Sequence, residues 1–297
     1  MLAENRRSAV ILIGKGLVGN SIYCSLLKLG YVLVDEKKLD WTDPGSITDI
    51  SCFIDNKLHN LDGGCQLTIL WSAGRLGFGA TNDEIVTEQS YFENVCLSLS
   101  ELGFTGKLKP RFILFSSIGG LFEGQNTISD SSIPAPKRPY GVLKLHQEET
   151  AQRVIKNFDV IILRLSSVYG PIRIGSRMGL IQVLILNGLQ RRNSMIFGTL
   201  DTLRDYVFVD DIARFVVELV GSRDVKTRVF WQTQLNITDK AYCRTFAVQA
   251  IVSVLFQRKA EFSDIPCVQN NYQGLWLPSS LDVNIKKIYV EWLSLHD

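Results

Sequence analysis

Histidine is scarce in this sequence, and its cysteines are not arranged in pairs. The 297 residues contain three histidines and six cysteines, no two of which form a Cys-x-x-Cys pair. Zinc sites need clustered thiolate and imidazole ligands, so we expect no metal site. The widely spaced cysteines are interpreted as small buried hydrophobic residues of a protein in a reducing compartment, and we expect a cytoplasmic location.

The chain also lacks a long apolar run and an excess of one charge. No apolar run reaches the roughly 18 residues of a membrane span. The net charge is +2, with both signs interspersed along the chain. Nucleic-acid-binding surfaces carry a stripe of basic side chains, and the pair Arg191 and Arg192 is too short to form one. We therefore expect neither a membrane nor a nucleic acid as a partner.

The sequence does contain an alternation of strand patterns with helical ones. The first apolar run, residues 9–13, is rich in β-branched residues, as in a strand buried on both faces of a parallel sheet. Further strand patterns lie at 31–34, 67–71, 111–116, 160–165, 206–209 and 228–232, with helical patterns at 83–102, 140–157, 178–187 and 210–220. This alternation predicts an α/β fold with a doubly wound parallel sheet of Rossmann type.

A glycine-rich turn follows the first strand. It reads Gly14-Lys15-Gly16-Leu17-Val18-Gly19, which is a G-x-G-x-x-G motif opening a helix. The first glycine permits the tight turn, the second lets a pyrophosphate approach the backbone, and the third lets helix and strand pack closely. Asp35 ends the second strand about 20 residues on, where a carboxylate accepts the ribose hydroxyls of NAD. Lys15, Lys37 and Lys38 could instead neutralise the extra phosphate of NADP, so NADP stays open while NAD is favoured.

Two later patterns place reactive side chains at the same edge of the sheet. Ser116 and Ser117 end an apolar run, and the carboxyl ends of parallel strands border the crevice that binds ligands. Tyr140 and Lys144 are four residues apart and share one face of the predicted helix. An ammonium near a phenol stabilises the phenolate, which suits the phenol for general acid or base catalysis. Each pattern alone is also common as a turn or a helix start.

Taken in order, these three motifs resemble the extended short-chain dehydrogenase/reductase family, the NAD-dependent epimerases, dehydratases and reductases of nucleotide sugars. Residues 163–171 and 204–213 are similar to that family's L-R-x-x-x-V-Y-G-P and R-D-[FY]-V-x-V-x-D motifs. The resemblance implies that Tyr140 exchanges a proton with the sugar and that Ser117 bonds the reacting oxygen. It also implies that Lys144 assists Tyr140 and holds the nicotinamide ribose. Asn94 resembles the helix asparagine that holds the catalytic lysine and a relay water.

The resemblance also implies contacts with the cofactor and the substrate. Ser72, Ala73 and Gly74 resemble the segment that lies beside the cofactor. Asp40 and Trp41 belong to an L-D-W-T-D segment similar to that of dTDP-4-dehydrorhamnose reductases, where this stretch borders the adenine; the alternative is that Trp41 packs under the sheet. The substrate contacts implied, besides Ser117 and Tyr140, are Arg75, Phe78, Arg173, Arg177 and Arg204. A guanidinium such as that of Arg75 matches a diphosphate bidentately.

By the same resemblance, residues 1–170 form an NAD(P)-binding Rossmann domain to which 200–235 returns, and 171–199 with 236–297 form a small C-terminal substrate-binding subdomain. The expected function is hydride transfer at a carbon of a nucleotide-activated sugar. Ile118 and Gly119 stand where a 4,6-dehydratase carries an Asp-Glu pair, which argues against dehydration. The short chain favours reduction of a 4-keto sugar over 4-epimerisation with tightly bound NAD, and a non-catalytic NAD(P)-binding regulatory subunit is a third interpretation. A homodimer through the helices at 83–102 and 140–157 is also implied.

Overall fold

Strands and helices alternate along the chain in the computed structural model, which describes residues 8–31, 33–37, 39–41, 43, 45–60, 65–103, 109–125, 128, 132–190, 192–194, 203–204, 206–222, 228–231, 243–244 and 281–296. The strands are β1 (Ser8–Ile13), β2 (Leu33–Lys37), β3 (Gln66–Trp71), β4 (Arg111–Ser117), β5 (Asp159–Leu165), β6 (Ser167–Tyr169), β7 (Leu203–Arg204), β8 (Tyr206–Phe208), β9 (Arg228–Trp231) and β10 (Cys243–Arg244). The helices are α1 (Leu17–Lys28), α2 (Gly45–His59), α3 (Asn82–Glu101), α4 (Ile118–Leu121), α5 (Pro139–Val154), α6 (Leu180–Leu189), α7 (Val209–Gly221) and α8 (Leu281–His296). The predicted α/β class is confirmed.

A six-stranded sheet lies in the first of two compact units, which comprises Met1–Leu165 and Ala213–Trp231. The strand order is β2-β1-β3-β4-β5-β9, and every neighbouring pair is parallel. The chain leaves β1 towards β2 on one side and later returns to β3 on the other. The carboxyl ends of β1 and β3 therefore border the crevice in which such sheets bind ligands.

One hydrophobic cluster packs three helices against the sheet. The strands contribute alternate residues such as Ile11, Ile69, Leu114 and Ile162, and the helices α2, α3 and α5 contribute Ile54, Phe92 and Ala151. Helix α2 was not predicted, because its apolar residues are few and separated by polar ones. Two of them, Ile50 and Ile54, are buried in the core. Helix α3 begins at a capping box, in which Thr81 and Glu84 bond each other's backbone.

The described cysteines differ in their surroundings. Cys96 is fully buried in the cluster, and burial raises the pKa of its thiol. Cys24 and Cys52 are exposed and Cys65 is half-buried, so the interpretation as buried hydrophobic residues is wrong for the two exposed ones. None of the helices in the described ranges is both long and apolar enough to cross a membrane.

The second unit comprises Ser166–Ile212 and Gln232–Asp297. Its core includes Tyr169, whose hydroxyl accepts a 3.0 Å hydrogen bond from Asn284 of α8. A 2.8 Å hydrogen bond to Asp210 raises the pKa of Lys287 on the same helix. Strand β8 pairs with β6 and not with the main sheet. The described residues 203–204 and 206–212, expected in the Rossmann domain, fall within this second unit.

A buried ion pair joins the middle of α5 to the carboxyl end of β5. The Arg164 guanidinium donates from Nε to both carboxylate oxygens of Glu148, at 3.0 and 3.1 Å, and from Nη2 to Oε2 at 2.6 Å. Both side chains are buried, with exposed fractions of 9% and 3%. The guanidinium also lies over the Phe122 ring, 5.5 Å from its centroid. This bidentate geometry fixes the position of α5 relative to the sheet.

Replacing Glu148 alone by leucine should lower the free energy of unfolding by about 3–5 kcal/mol, because Arg164 then stays buried without its counter-charge. Adding Arg164→Met should recover much of that loss, since an apolar pair replaces both charges. Urea denaturation measures both effects. The matched control is Glu149→Leu at an exposed neighbour, where we expect a change within about 0.5 kcal/mol. A Glu148→Leu protein as stable as this control would contradict the role given to the pair.

Candidate active site

The glycine turn between β1 and α1 is shaped by two close backbone approaches. Gly14 has φ +89°, a left-handed conformation that favours glycine, and a Cβ there would lie 2.5 Å from the Ala73 backbone. A Cβ on Gly19 would overlap the Gly14 carbonyl oxygen and reach the Ser72 hydroxyl. Gly16 is different, because a Cβ there would meet no atom of the described structure within 4 Å. Its lack of a side chain therefore leaves open space above the turn.

The segment after β3 lies directly against this turn. The Ser72 amide donates to the Ile13 carbonyl at 2.9 Å, and the Ser72 hydroxyl donates to the Gly14 carbonyl. The structure thus brings the predicted cofactor residues Ser72 and Ala73 to Gly14. Glu88 of α3 also holds this segment. Its side chain is 1% exposed and accepts a 3.1 Å hydrogen bond from the Arg75 amide. The sequence analysis missed Glu88, although a carboxylate at a position with core periodicity was a usable signal.

The residues predicted near the adenosine end of the cofactor differ in their burial and contacts. Trp41 is half-buried, packs against the main cluster and lies 5.7 Å from the Tyr91 ring, as in the packing alternative. Asp40 is exposed. The Lys15 ammonium lies over the Tyr23 ring, 4.0 Å from its centroid.

Asp35 stands near the end of β2, where its backbone pairs with Ile11. Its side chain, that of Lys37 and the whole of Lys38 lie outside the described residues. The predicted bond between Asp35 and a ribose therefore stays a prediction.

Two glycines, Gly120 and Gly141, allow close packing between the segments that carry Ser117 and Tyr140. Ser117 ends β4 and caps α4, where its Oγ accepts a 3.2 Å hydrogen bond from the Gly120 amide. Since the bond uses a lone pair, the hydroxyl hydrogen can still be donated. A Cβ on Gly120 would lie 3.3 Å from two ring carbons of Tyr140, and a Cβ on Gly141 would overlap the Gly120 carbonyl oxygen. The sequence analysis did not identify Gly141 as a site residue. A glycine in the first turn of a helix lowers helix stability, so its presence there was a signal of close packing.

The Lys144 ammonium is buried beside the Tyr140 ring. Lys144 is 7% exposed, and its Nζ lies 5.9 Å from the ring centroid of the half-buried Tyr140. The ammonium donates to the Phe115 carbonyl of β4 at 3.3 Å and to Gln147 Oε1 at 2.9 Å. The structure therefore brings Ser117, Tyr140 and Lys144 together at the carboxyl end of β4.

Asn94 is not part of this group. It is exposed on α3, whose buried face is formed by residues that include Glu88, Phe92 and Val95. The side chain that bonds the ammonium is that of Gln147, which the sequence analysis did not single out. Its signal was a polar residue among the apolar positions of α5, one turn after Lys144.

Phe78 is the predicted substrate residue that lies next to Tyr140. Its side chain is 49% exposed, and its ring centroid is 5.4 Å from that of Tyr140. The Arg138 guanidinium lies over the Phe78 ring, 5.6 Å from its centroid, and its Nε bonds a carboxylate oxygen of Glu123 at 2.9 Å. Phe78 and Arg138 thus form an exposed border beside the phenol.

The predicted arginines belong to two different units. The Arg75 side chain is exposed in the segment after β3. Arg173 is half-buried and Arg177 exposed, both between β6 and α6 in the second unit. The side chain of Arg204 lies outside the described residues, so its proposed contact with a nucleotide stays a prediction.

Comparison with known proteins identifies one family. The model of the NAD dependent epimerase/dehydratase family matches residues 14–230. The UDP-glucose epimerase YtcB of Bacillus subtilis (strain 168), itself uncharacterized, is 29% identical over 156 residues, which are 51% of this chain and 47% of the relative. The chain thus spans about half the length of this relative.

Solved structures share the fold. UDP-glucuronic acid 4-epimerase from Bacillus cereus in complex with NAD superposes with a TM-score of 0.73 at 18% identity, covering 97% of this chain and 100% of that one. Epimerase Mth375 from Methanothermobacter thermautotrophicus gives 0.74 at 16% identity, covering 99% and 96%. At these identities the likeness shows the fold alone.

Two alanine substitutions should separate space for a ligand from packing within the turn. Gly16→Ala should leave the free energy of unfolding nearly unchanged but weaken NADH binding at least about tenfold, because its methyl group occupies only the open space. Gly19→Ala should lower the free energy of unfolding by about 1–3 kcal/mol, because its methyl group overlaps the Gly14 carbonyl. Fluorescence titration with NADH and urea denaturation measure the two quantities. Equal effects of the two substitutions on stability would contradict this assignment.

Proposed function

The chain belongs to the NAD dependent epimerase/dehydratase family, and we propose that it is an NAD-dependent enzyme that inverts C4 of the sugar in a nucleotide-activated sugar. The observation that carries this proposal is the assembly of Ser117, Tyr140 and Lys144 at the carboxyl end of β4. The names of the relatives support epimerisation over the reduction favoured by chain length, and UDP as the nucleotide.

The glycine turn fits a dinucleotide. Helix α1 begins after Gly16 with no side-chain cap and no acidic residue in its first turn, so its amide groups are suited to a pyrophosphate. The open space at Gly16 lets a phosphate approach these amides. The Ser72 and Ala73 segment borders the same turn. The chemistry that a bound NAD would supply is the removal of a hydride from the sugar carbon and its return.

The side chains around β4 handle the proton and the oxygen of the sugar. Tyr140 takes the proton from the C4 hydroxyl as the carbonyl forms, and returns it when the hydroxyl is restored. Ser117 keeps a hydroxyl hydrogen to donate to that oxygen. The ammonium of Lys144 stabilises the phenolate through its charge. The ketone forms and disappears within one cycle, so no net coenzyme is consumed.

The residues after Ser117 support epimerisation over dehydration. Elimination of water from a sugar requires a further acid and base near C5 and C6. Ile118 is buried at 4% exposure, and a Cβ on Gly119 would lie 3.4 Å from the Phe78 ring. Neither residue supplies a proton donor or acceptor in its side chain.

The test is epimerisation of sugar nucleotides by the purified chain without added coenzyme. We expect interconversion of UDP-glucose with UDP-galactose, or of the corresponding uronic acids, followed by proton NMR of the anomeric signals. Tyr140→Phe should reduce the rate by about 10²–10⁴-fold, because the proton acceptor is lost. The matched control is Tyr91→Phe, a half-buried tyrosine that packs on Trp41 and should retain activity.

Other outcomes distinguish the competing functions. Net oxidation of NADPH or NADH with 4-keto-6-deoxy sugar nucleotides would establish the reductase instead. Dinucleotide binding with no turnover of any sugar nucleotide would favour a regulatory subunit. Equal rates for Tyr140→Phe and Tyr91→Phe would contradict the proposed chemistry.

We also propose that two copies pair through α3 and α5. The two helices are joined by His146, whose Nε2 bonds Glu93 at 3.0 Å and Gln89 at 3.2 Å. Exposed apolar side chains flank this seam, since Val142 lies one turn from His146 and Leu97 one turn from Glu93. Such a surface, repeated on both copies, suits a two-fold interface.

The pairing is tested by one charge at its centre. Val142→Glu should convert a dimer into a monomer, because two copies of the new carboxylate would be buried near each other. Light scattering during size-exclusion chromatography measures the mass. Val290→Glu, at an equally exposed valine on α8, is the control and should stay dimeric. A monomeric parent protein, or a dimeric Val142→Glu, would contradict this surface.

A further inference from the structure

Gln147 lies one turn beyond Lys144 on α5 and accepts a hydrogen bond from the Lys144 ammonium. The 2.9 Å bond from Lys144 Nζ to Gln147 Oε1 is shorter than the 3.3 Å bond to the Phe115 carbonyl. Residues three apart share a helix face, so α5 itself sets this contact. A hydrogen bond from a charged donor is about twice as strong as one between neutral groups. Of the two described acceptors, Gln147 thus lies closer to the ammonium.

The glutamine is unfavourable for packing alone. It is 0% exposed, and its Nε2 has no hydrogen-bond partner within the described residues. A buried polar group without a partner destabilises a protein, because it gives up its hydrogen bonds to water. A methionine would fill a similar volume without that penalty. What distinguishes glutamine at this position is the oxygen that it offers to Lys144.

That oxygen is neutral, so it does not compensate the positive charge of the ammonium. Within the described residues both acceptors of Lys144 are uncharged oxygens, and the neighbouring carboxylate of Glu148 bonds Arg164. A carboxylate at 147 would pair with the ammonium and cancel its field at Tyr140. The two bonds also use two of the three ammonium hydrogens and leave one for a ligand.

We propose that Gln147 is a positioning residue for Lys144. Its amide oxygen holds the ammonium between β4 and Tyr140 without compensating its positive charge. The third ammonium hydrogen is then available to a hydroxyl of the dinucleotide ribose. This proposal rests on the proposed function. It assigns to α5 the support of the lysine that the sequence analysis expected from Asn94 on α3.

The test compares Gln147→Met, Gln147→Glu and Gln66→Met. Methionine removes the acceptor but keeps the volume, while glutamate keeps an acceptor and adds a charge. Gln66 is the matched control, since it is 7% exposed and donates a 2.6 Å bond to the Lys109 carbonyl at the amino end of β3. NADH affinity is measured by fluorescence titration, and kcat and KM with UDP-glucose are measured separately. Thermal unfolding checks that all variants fold.

We expect Gln147→Met to weaken NADH binding about tenfold, with Gln66→Met unchanged. Gln147→Glu should bind NADH within about threefold of the parent protein, because the ammonium is still held. Its kcat with UDP-glucose should nevertheless fall at least about tenfold, with little change in KM, because the charge acting on Tyr140 is compensated.

Two results would overturn the proposal. One is NADH affinity in Gln147→Met equal to that of Gln66→Met and the parent protein. The other is an equal loss of affinity in Gln147→Met and Gln147→Glu, which would indicate a packing role. If the parent protein binds NADH but converts no sugar nucleotide, the proposed function fails, while the comparison of NADH affinities still decides the role of Gln147.

Discussion

The buried ion pair between Arg164 and Glu148 is the constraint on which the candidate site depends. Tyr140, Lys144 and Glu148 follow one another at intervals of four residues, so they share one face of α5. Fixing the carboxylate of Glu148 against the end of β5 therefore fixes the ammonium and the phenol at the end of β4. Because both charges are buried and paired bidentately, α5 cannot rotate or slide without leaving a buried charge unpaired.

Close backbone approaches complete the site at two places. Gly14 and Gly19 let α1 and the Ser72 segment meet the end of β1, and Gly120 with Gly141 let α4 meet the first turn of α5. In both places a Cβ would overlap neighbouring backbone. Gly16 is the exception, since a Cβ there would meet no atom of the described residues within 4 Å and would disturb none of their packing. The site thus combines a rigid frame of glycine contacts with polar groups held by that frame.

Local patterns predicted much of the fold and part of the site. The strand, glycine turn and helix from Ser8 to Lys28 are contiguous in sequence, and the spacing of Tyr140 and Lys144 follows from one helix. Local patterns carry less information where partners are distant. Residues 206–208 read as another strand of the main sheet, yet they pair with β6, which no local pattern specifies. Asn94 matched a motif, but the rotation of α3 against the sheet left it exposed.

The sequence by itself determined the α/β class, the glycine turn and the spacing of Tyr140 and Lys144, because strand and helix periodicity and the conformational freedom of glycine are local properties. Only the tertiary structure decided which polar groups are buried on α5 and β5 and how they pair. Gln147, Glu148 and Arg164 could each have been solvated surface residues by type alone. Burial against β4 and β5 pairs Gln147 with Lys144 and Glu148 with Arg164, since a buried charge must find its partners within the protein.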